Sequence, residues 1–422
     1  MEDLYELYLE NPSIKTDTRN LAVGDLFFAL KGPNFNGNAF ATQALAAGAT
    51  YAIVDEKEYL DGHRTILVED VLTSLQQLAR HHRQTFNIPF LAITGSNGKT
   101  TTKELIHQVL SSTYKTYTTR GNLNNQIGIP LTILEVKRDA ELAVIEMGAN
   151  HLKEIESYCR YTLPTHGIIT NIGKAHLEGF GSTEGVRKGK GELFDHIREH
   201  RGTVFVMWDY EYLRELSHEI DAIKYGTKEG QITGMVKRND PYLEVEVTTG
   251  LDVKNIGTQL VGEYNLPNVL AAISVGNYFK IPGDAIKAAI EAYTPSNSRS
   301  QMVERGTNKI ILDAYNANPS SMKSAIDNFA HLPCVEKILM LGGMAELGAE
   351  SLQEHQAIIE QVSRFPWKHV ILVGGDFLAV PHSYLSFTNS AEAGTWFRQQ
   401  NLTNSCVLIK GSRSIRMEKI LE

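Results

Sequence analysis

The stretch Phe90-Leu-Ala-Ile-Thr-Gly-Ser-Asn-Gly-Lys-Thr-Thr-Thr-Lys-Glu-Leu-Ile-His-Gln-Val-Leu110 decides how this chain is read. It opens with an apolar run, passes through a loop holding two glycines, and continues with helical periodicity. Strand, glycine loop, then helix is the arrangement that cradles phosphate. Gly95 and Gly98 let the backbone curl so that amides face phosphate oxygens, and the helix that follows adds its positive N-terminal end. Lys99 can reach the terminal phosphates of a nucleoside triphosphate, and the Thr100 hydroxyl can ligate magnesium. The general spacing G-x-x-x-x-G-K-[ST] would put glycine at position 93, where this chain has Ile93.

The same kind of strand recurs after that stretch. Leu142–Glu146, Gly167–Thr170 and Thr203–Met207 are apolar at nearly every position, which implies strands covered on both faces of a parallel sheet. Helices at Thr101–Thr113, Leu152–Cys159 and Pro267–Phe279 supply crossovers, and the alternating run Tyr242–Thr248 predicts an antiparallel edge. Before Pro89, short strands at Leu26–Leu30 and Tyr51–Val54 and helices at Ala39–Ala47 and Val71–Thr85 make a smaller α/β unit. After the turn-rich Pro295-Ser-Asn-Ser298 the pattern restarts, with strands at Lys309–Asp313, Lys337–Leu341, His369–Val373 and Ser405–Lys410. The expected fold class is α/β in three domains: an N-terminal α/β substrate domain over 1–87, a central P-loop domain with a parallel sheet over 88–297, and a C-terminal Rossmann-like domain over 298–422.

Composition narrows the function. A chain of 422 residues exceeds one core, and its formal charge of −8 with no basic tract argues against nucleic acid as a partner. No apolar run approaches the roughly 20 residues that span a bilayer, and the acidic start MEDLYELYLE is not a signal peptide, so no membrane insertion is expected. Cys159, Cys334 and Cys406 are widely spaced, which argues against a zinc site or a disulfide framework and fits a reducing, cytoplasmic setting.

Two residues join the loop at the carboxyl ends of parallel strands, where ligands of such sheets bind, and a third lies in a basic run. Glu146 ends one strand and offers a carboxylate for magnesium. His176 follows the next in the small-residue run Thr170–Ser182. Lys190 lies in VRKGKGELF (Val186–Phe194) with Arg187 and Lys188; from the residues alone this run is a basic helix start.

With these in hand, the chain resembles the Mur ligase family, ATP-dependent enzymes that form amide bonds in peptidoglycan precursors. TGSNGKTTT is similar to that family's own phosphate loop, which accounts for Ile93. Further runs resemble family motifs: GNLNNQIGIPLT (Gly121–Thr132), AHLEGFGS (Ala175–Ser182), LDAYNANPSSM (Leu312–Met322), MLGGMAELG (Met340–Gly348) and IKGSRSIRMEKI (Ile409–Ile420). They are most like the members that add D-alanyl-D-alanine to a UDP-N-acetylmuramoyl tripeptide through an acyl phosphate.

The resemblance implies the following roles. Gly95, Asn97, Gly98, Lys99, Thr100 and Thr101 bind ATP. Thr100, Glu146 and His176 hold magnesium together with Lys190, the family's carbamylated lysine. Lys99, His176 and Lys190 are the catalytic set. Asn265 and Asn268 contact the nucleotide, within a motif where Tyr264 replaces the family's histidine. Asp313 reaches the ribose and Arg299 the phosphates. Thr18 and Arg19, in a stretch like the family's D-S-R, contact the uridine nucleotide, and Asn122, Asn124, Asn125, Asn316, Asn318, Ser412 and Arg413 contact substrates. The partners are then small molecules, and the resemblance implies a monomer. Two rivals stand beside this reading: a sister or folylpolyglutamate-type ligase adding a single amino acid, and a nucleotide-driven switch.

Overall fold

The computed structural model describes every residue except Asn297, on which the expected boundary between the second and third domains falls. It is α/β throughout, with strands in three stretches, 14–67, 90–257 and 301–410. The chain divides into two compact units, one of residues 1–93, 114–148 and 154–167, the other of 94–113, 149–153 and 168–422.

In the first unit, Ile14–Lys15, Leu26–Phe28, Tyr51–Val54 and Thr65–Leu67 form a parallel sheet in that order. Phe27, Ala52 and Val54 of this sheet share a core with Ala41, Ala44 and Leu45. The helix Val71–Gln84 begins where the Asp70 carboxylate accepts from Thr73 N at 2.7 Å. Near its end the buried Arg83 donates to the carbonyls of Thr162 and Leu163, at 3.0 and 3.1 Å. Its guanidinium also lies 3.9 Å from the Phe90 ring centroid, so one cation closes off the helix Glu154–Thr162. Burial lowers the Arg83 pKa to about 10. Phe90–Thr94 and Thr116–Thr118 flank Leu142–Glu146 in parallel, with Ile93 opposite Glu146. Every residue of Phe90–Thr94 and of Leu142–Glu146 is buried, as the uninterrupted apolar runs predict.

In the second unit the loop helix is Lys99–Ser111, against which Leu266–Tyr278 and Gly283–Ala292 pack. Thr203–Met207, Asp221–Gly226 and Ile232–Asn239 run parallel, and Leu243–Thr249 then pairs antiparallel to Ile232–Asn239. That last strand is antiparallel as expected, but it is not an edge, because Asn255–Gly257 pairs along its other side. Alternation reports one covered face and says nothing of the number of neighbours, and three residues are too few to show a period.

The rest of this unit is a six-stranded sheet in the order Gln301–Arg305, Asn308–Asp313, Ser405–Lys410, Glu336–Gly342, His369–Val373, Leu385–Phe387. All its pairings are parallel except the first, which gives the Rossmann-like character expected of 298–422. The expectation of no disulfide is overturned here. Cys334 is bonded to Cys406, 72 residues away, because Glu336–Gly342 and Ser405–Lys410 are adjacent strands and their starts coincide. Sequence spacing does not reveal such neighbours. Among the described residues, no helix is long and apolar enough to cross a membrane.

Candidate functional site

The second unit brings the phosphate loop together with the residues that shape it. Gly95 and Gly98 have φ of +142° and +77°. A Cβ at Gly95 would lie 2.0 Å from Thr170 Oγ1, and one at Gly98 would lie 2.6 Å from Asn268 Oδ1. Both positions therefore need glycine for backbone angle and for space. The strand end braces the loop from the side. Thr170 Oγ1 donates to Asn97 O at 2.6 Å, Asn97 N donates to Asn171 Oδ1 at 3.0 Å, and Ser96 N donates to Asn171 O at 2.9 Å. Lys99 folds back into the loop, its Nζ donating to Gly95 O at 2.8 Å. Thr100 and Thr101 follow in the first turn of the helix, whose N-terminal end carries the positive pole of the helix dipole.

Asn265 and Asn268 sit behind the loop and are buried. Asn268 Nδ2 donates to Asn265 Oδ1 at 2.9 Å, and Asn268 Oδ1 accepts from Thr102 Oγ1 at 3.0 Å. Asn265 Nδ2 donates to Val261 O at 2.9 Å. This chain of amides props the loop from beneath. Tyr264 bonds Ser300 Oγ at 3.1 Å, and burial raises its pKa.

His176 and Lys190 belong to the same unit. His176 has φ +53°, a strained left-handed conformation for a side chain of this size, and precedes the short helix Leu177–Phe180. Its Nδ1 lies 2.5 Å from Glu346 Oε2 and has no other partner, although the contact is not aligned as a hydrogen bond. His176 holds the Glu346 carboxyl below the usual carboxylate range, against the effect of burial, and Lys99 adds to it. Lys190 is fully buried within the helix Thr183–Glu199, donates to Ala149 O at 2.8 Å and sits 5.2 Å from the Phe180 centroid. The run read from residues alone as a basic helix start is thus divided. Lys188 is exposed and Arg187 pairs with Glu215, whereas Lys190 points inward.

The 301–410 sheet adds its own ligand edge to this unit. Asp313 and Lys410 end neighbouring strands in register, with Lys410 Nζ 2.5 Å from Asp313 Oδ2, and Ser300 N donates to Asp313 Oδ1 at 3.1 Å. The Arg299 guanidinium stacks 3.5 Å from the Tyr315 ring centroid, with Arg413 on the same ring at 5.4 Å. Asn318 caps the helix Pro319–His331 and donates from Nδ2 to Asn97 Oδ1 at 2.8 Å, joining this edge to the phosphate loop. Asn316 accepts from Ala317 N at 2.9 Å, and the buried Ser412 pairs with Ser414 at 3.0 Å.

The remaining expected residues belong to the first unit. Glu146 is buried, and its Oε1 accepts from Asn124 Nδ2 at 2.8 Å. Asn125 Oδ1 accepts from Ile127 N and Gly128 N at 3.1 and 2.9 Å, starting the helix Gly128–Leu134, and Asn122 is exposed beside it. Thr18 is half-buried and Arg19 exposed on a short turn, where Arg19 pairs with Asp17 at 2.5 Å.

The sequence matches the Mur ligase family's catalytic-domain description over residues 12–83, its middle domain over 93–276 and its glutamate ligase domain over 298–413. The chain belongs to the Mur ligase family. Two relatives described as UDP-N-acetylmuramoyl-tripeptide–D-alanyl-D-alanine ligase are similar along nearly their whole length. The Bacillus subtilis enzyme is 34% identical and the Escherichia coli enzyme 32%, each covering 97% of this chain and 92% of its own. Among solved structures, the MurF ligase of Thermotoga maritima in complex with ADP has a TM-score of 0.89 at 25% identity, covering all of this chain and 97% of its own.

Within this Mur ligase, several residues that shape the site went unselected by motif reading. Thr170 and Asn171 brace the loop, Glu346 meets His176, and Lys410 meets Asp313. Lys410 carried a legible signal, since a lysine closing a buried apolar strand needs a partner. Glu346 lay inside the MLGGMAELG run, but nothing there pointed to His176, because that partner is 170 residues away and only folding joins them.

The fit to ATP and magnesium can be judged from the residues. The glycine cradle, the folded-back Lys99 and the start of the helix fit a polyphosphate. Thr100 and Glu146 offer the hard oxygen donors magnesium takes, and His176 offers a ring nitrogen. Lys190 as an ammonium is a donor and fits a cation site only once carbamylation has made it an anion. Among the described residues no three His, Cys, Asp or Glu side chains cluster as a metal site; the expected set contains only two such residues.

Proposed function

We propose that this Mur ligase joins D-alanyl-D-alanine to a UDP-N-acetylmuramoyl tripeptide at the expense of ATP. The observation that carries this reading is the likeness to D-alanyl-D-alanine-adding relatives across the whole chain, at 34% and 32% identity. The nucleotide-switch reading loses its ground with family membership, and a single-amino-acid ligase is kept as an outcome of the experiments below.

Residues 1–87 bind the UDP precursor through Thr18 and Arg19, residues 88–297 bind ATP, and residues 298–422 complete the nucleotide and amine sites. ATP lies along the loop 95–101, and Lys99 leaves Gly95 O to meet its terminal phosphate. The N-terminus of Lys99–Ser111 offsets charge on the transferring group. Asp313 is held by Lys410 to receive the ribose, and Arg299 stacked on Tyr315 reaches the phosphates. Asn122, Asn124, Asn125, Asn316, Asn318, Ser412 and Arg413 line the substrate path, several of them by shaping the backbone there.

Magnesium would be held by Thr100, Glu146, His176 and carbamylated Lys190, and would supply charge neutralisation for phosphoryl transfer. The tripeptide carboxylate takes the terminal phosphoryl group of ATP and becomes an acyl phosphate, with ADP leaving. The dipeptide amine, relieved of a proton by a general base, attacks the acyl carbon, and phosphate departs as the amide forms. The protein works as a monomer in the cytoplasm. The mechanism is tested by labelling the tripeptide's reacting carboxylate with oxygen-18. Release of labelled inorganic phosphate is expected, and unlabelled phosphate would rule out the acyl phosphate.

A further inference from the structure

The segment 173–178, which carries His176, is gripped by residues from the 301–410 stretch. Lys174 N donates to Ser320 Oγ at 3.0 Å, Lys174 Nζ pairs with the buried Glu354, and Glu178 N donates to Glu346 O at 3.1 Å. At the centre of the grip two strained residues meet. His176 has φ +53° and Glu346 has φ +61°, and the His176 Nδ1 lies 2.5 Å from Glu346 Oε2. A non-glycine residue in this region is strained unless its surroundings hold it, and such residues gather at functional sites. Two of them in direct contact point to a shared purpose.

That contact also bears on where the imidazole proton lies. A bare ring nitrogen and a carboxylate oxygen 2.5 Å apart would set two lone pairs against each other, so the contact favours the tautomer with its proton on Nδ1, facing Glu346. Nε2 is then the lone pair left for a ligand. Histidines that hold metals are commonly oriented by a carboxylate on their other nitrogen.

We propose that Glu346 is a positioning residue for His176, fixing its ring orientation and its Nδ1–H tautomer. The ligand-binding nitrogen is therefore presented only when residues 301–410 are docked on segment 173–178. This rests on the ligase reading for what His176 holds, but not for the contact itself. Glu346 touches neither the reacting atoms nor the nucleotide in this account. It links the state of the C-terminal stretch to the readiness of the site.

The test uses the full chain labelled with nitrogen-15 at histidine, with the His176→Gln variant identifying the His176 ring signals. In the parent protein the His176 ring shows a protonated Nδ1 and a bare Nε2. Glu346→Gln keeps an acceptor oxygen at the same backbone angle and preserves that signature. Glu346→Ala loses it, giving a mixed-tautomer spectrum, and lowers kcat by about 10–100-fold with KM for ATP nearly unchanged, the range seen when a ligand's orienting partner is removed. Glutamine restores most of the rate. An unaltered His176 spectrum in Glu346→Ala overturns the proposal, whatever the rate. An altered spectrum with an unaltered rate refutes the functional half. If the parent protein makes no amide bond, the ligase reading fails, while the spectra still decide whether Glu346 positions His176.

Discussion

Replacing Lys410 by methionine tests whether the buried pair with Asp313 holds the nucleotide edge of the C-terminal sheet. The Lys410 side chain is 2% exposed and that of Asp313 16%, with 2.5 Å between their charged atoms. Methionine keeps most of the aliphatic stem, so little packing is lost. Asp313 then keeps only Ser300 N among its recorded partners, as a nearly buried carboxylate without its cation. Breaking a buried pair from one side costs about 3–5 kcal/mol, and the residual exposure of Asp313 puts the expectation near the lower end, about 3 kcal/mol. Asp313→Asn removes the orphan charge and still accepts from Ser300, so the double variant recovers to within about 1 kcal/mol of the parent. The assay is urea unfolding followed by tryptophan fluorescence; two of the three tryptophans, Trp367 and Trp396, lie in this stretch. A double variant as unstable as Lys410→Met, or more so, would show that packing of the stem, not charge, is what Lys410 supplies.

Gly98→Ala places a Cβ 2.6 Å from Asn268 Oδ1 at a φ of +77°, so nucleotide binding measured by calorimetry is expected to fall at least about tenfold. Lys99→Ala removes the cation of the loop and lowers kcat by about a hundredfold or more, with folding unchanged by circular dichroism. Intact mass should show one added carbon dioxide on Lys190; Lys190→Ala should be inactive with or without bicarbonate, and an active Lys190→Ala would remove that lysine from the site. His196, stacked on His200 at 4.0 Å, has its pKa lowered to about 4 by burial first and by His200 second. The unfolded chain binds this proton near pH 6.5 and the folded one only near 4, so the neutral form's contribution is complete above 6.5 and lost as pH falls towards 4. After allowance for its partial exposure this amounts to roughly 1–2 kcal/mol, and His196→Gln should flatten that part of a pH–stability curve.

The parts of the fold that were legible in the sequence are those where one physical cause dominates. Phe90–Thr94, Leu142–Glu146 and Thr203–Met207 are buried on both faces, so apolarity alone gives their limits. The glycines of the loop are fixed by backbone angle and announce themselves likewise. What the sequence hid depends on distant partners. Asn255–Gly257 is a strand only because Leu243–Thr249 offers it hydrogen bonds, and Cys334 meets Cys406 only because their strands are neighbours. Of the candidate site residues, Lys99 was picked from its motif, Glu146 and His176 from strand-end position, and Lys190 from the family resemblance. Their supports were not: Asn171 and Glu346 act through contacts that local pattern does not encode, and the partner of Lys410 is not named by the buried strand that the lysine closes. Asn97, Asn125 and Asn318, chosen as ligand contacts, also serve as braces and helix caps, which a motif cannot distinguish from binding.

The central claim is tested most directly by incubating the purified chain with ATP, magnesium, the UDP-N-acetylmuramoyl tripeptide and either D-alanyl-D-alanine or single amino acids, following phosphate release and product mass. The account predicts phosphate release only when the tripeptide and dipeptide are both present, with one UDP-linked pentapeptide formed per phosphate. Turnover with a single amino acid and none with the dipeptide would contradict it.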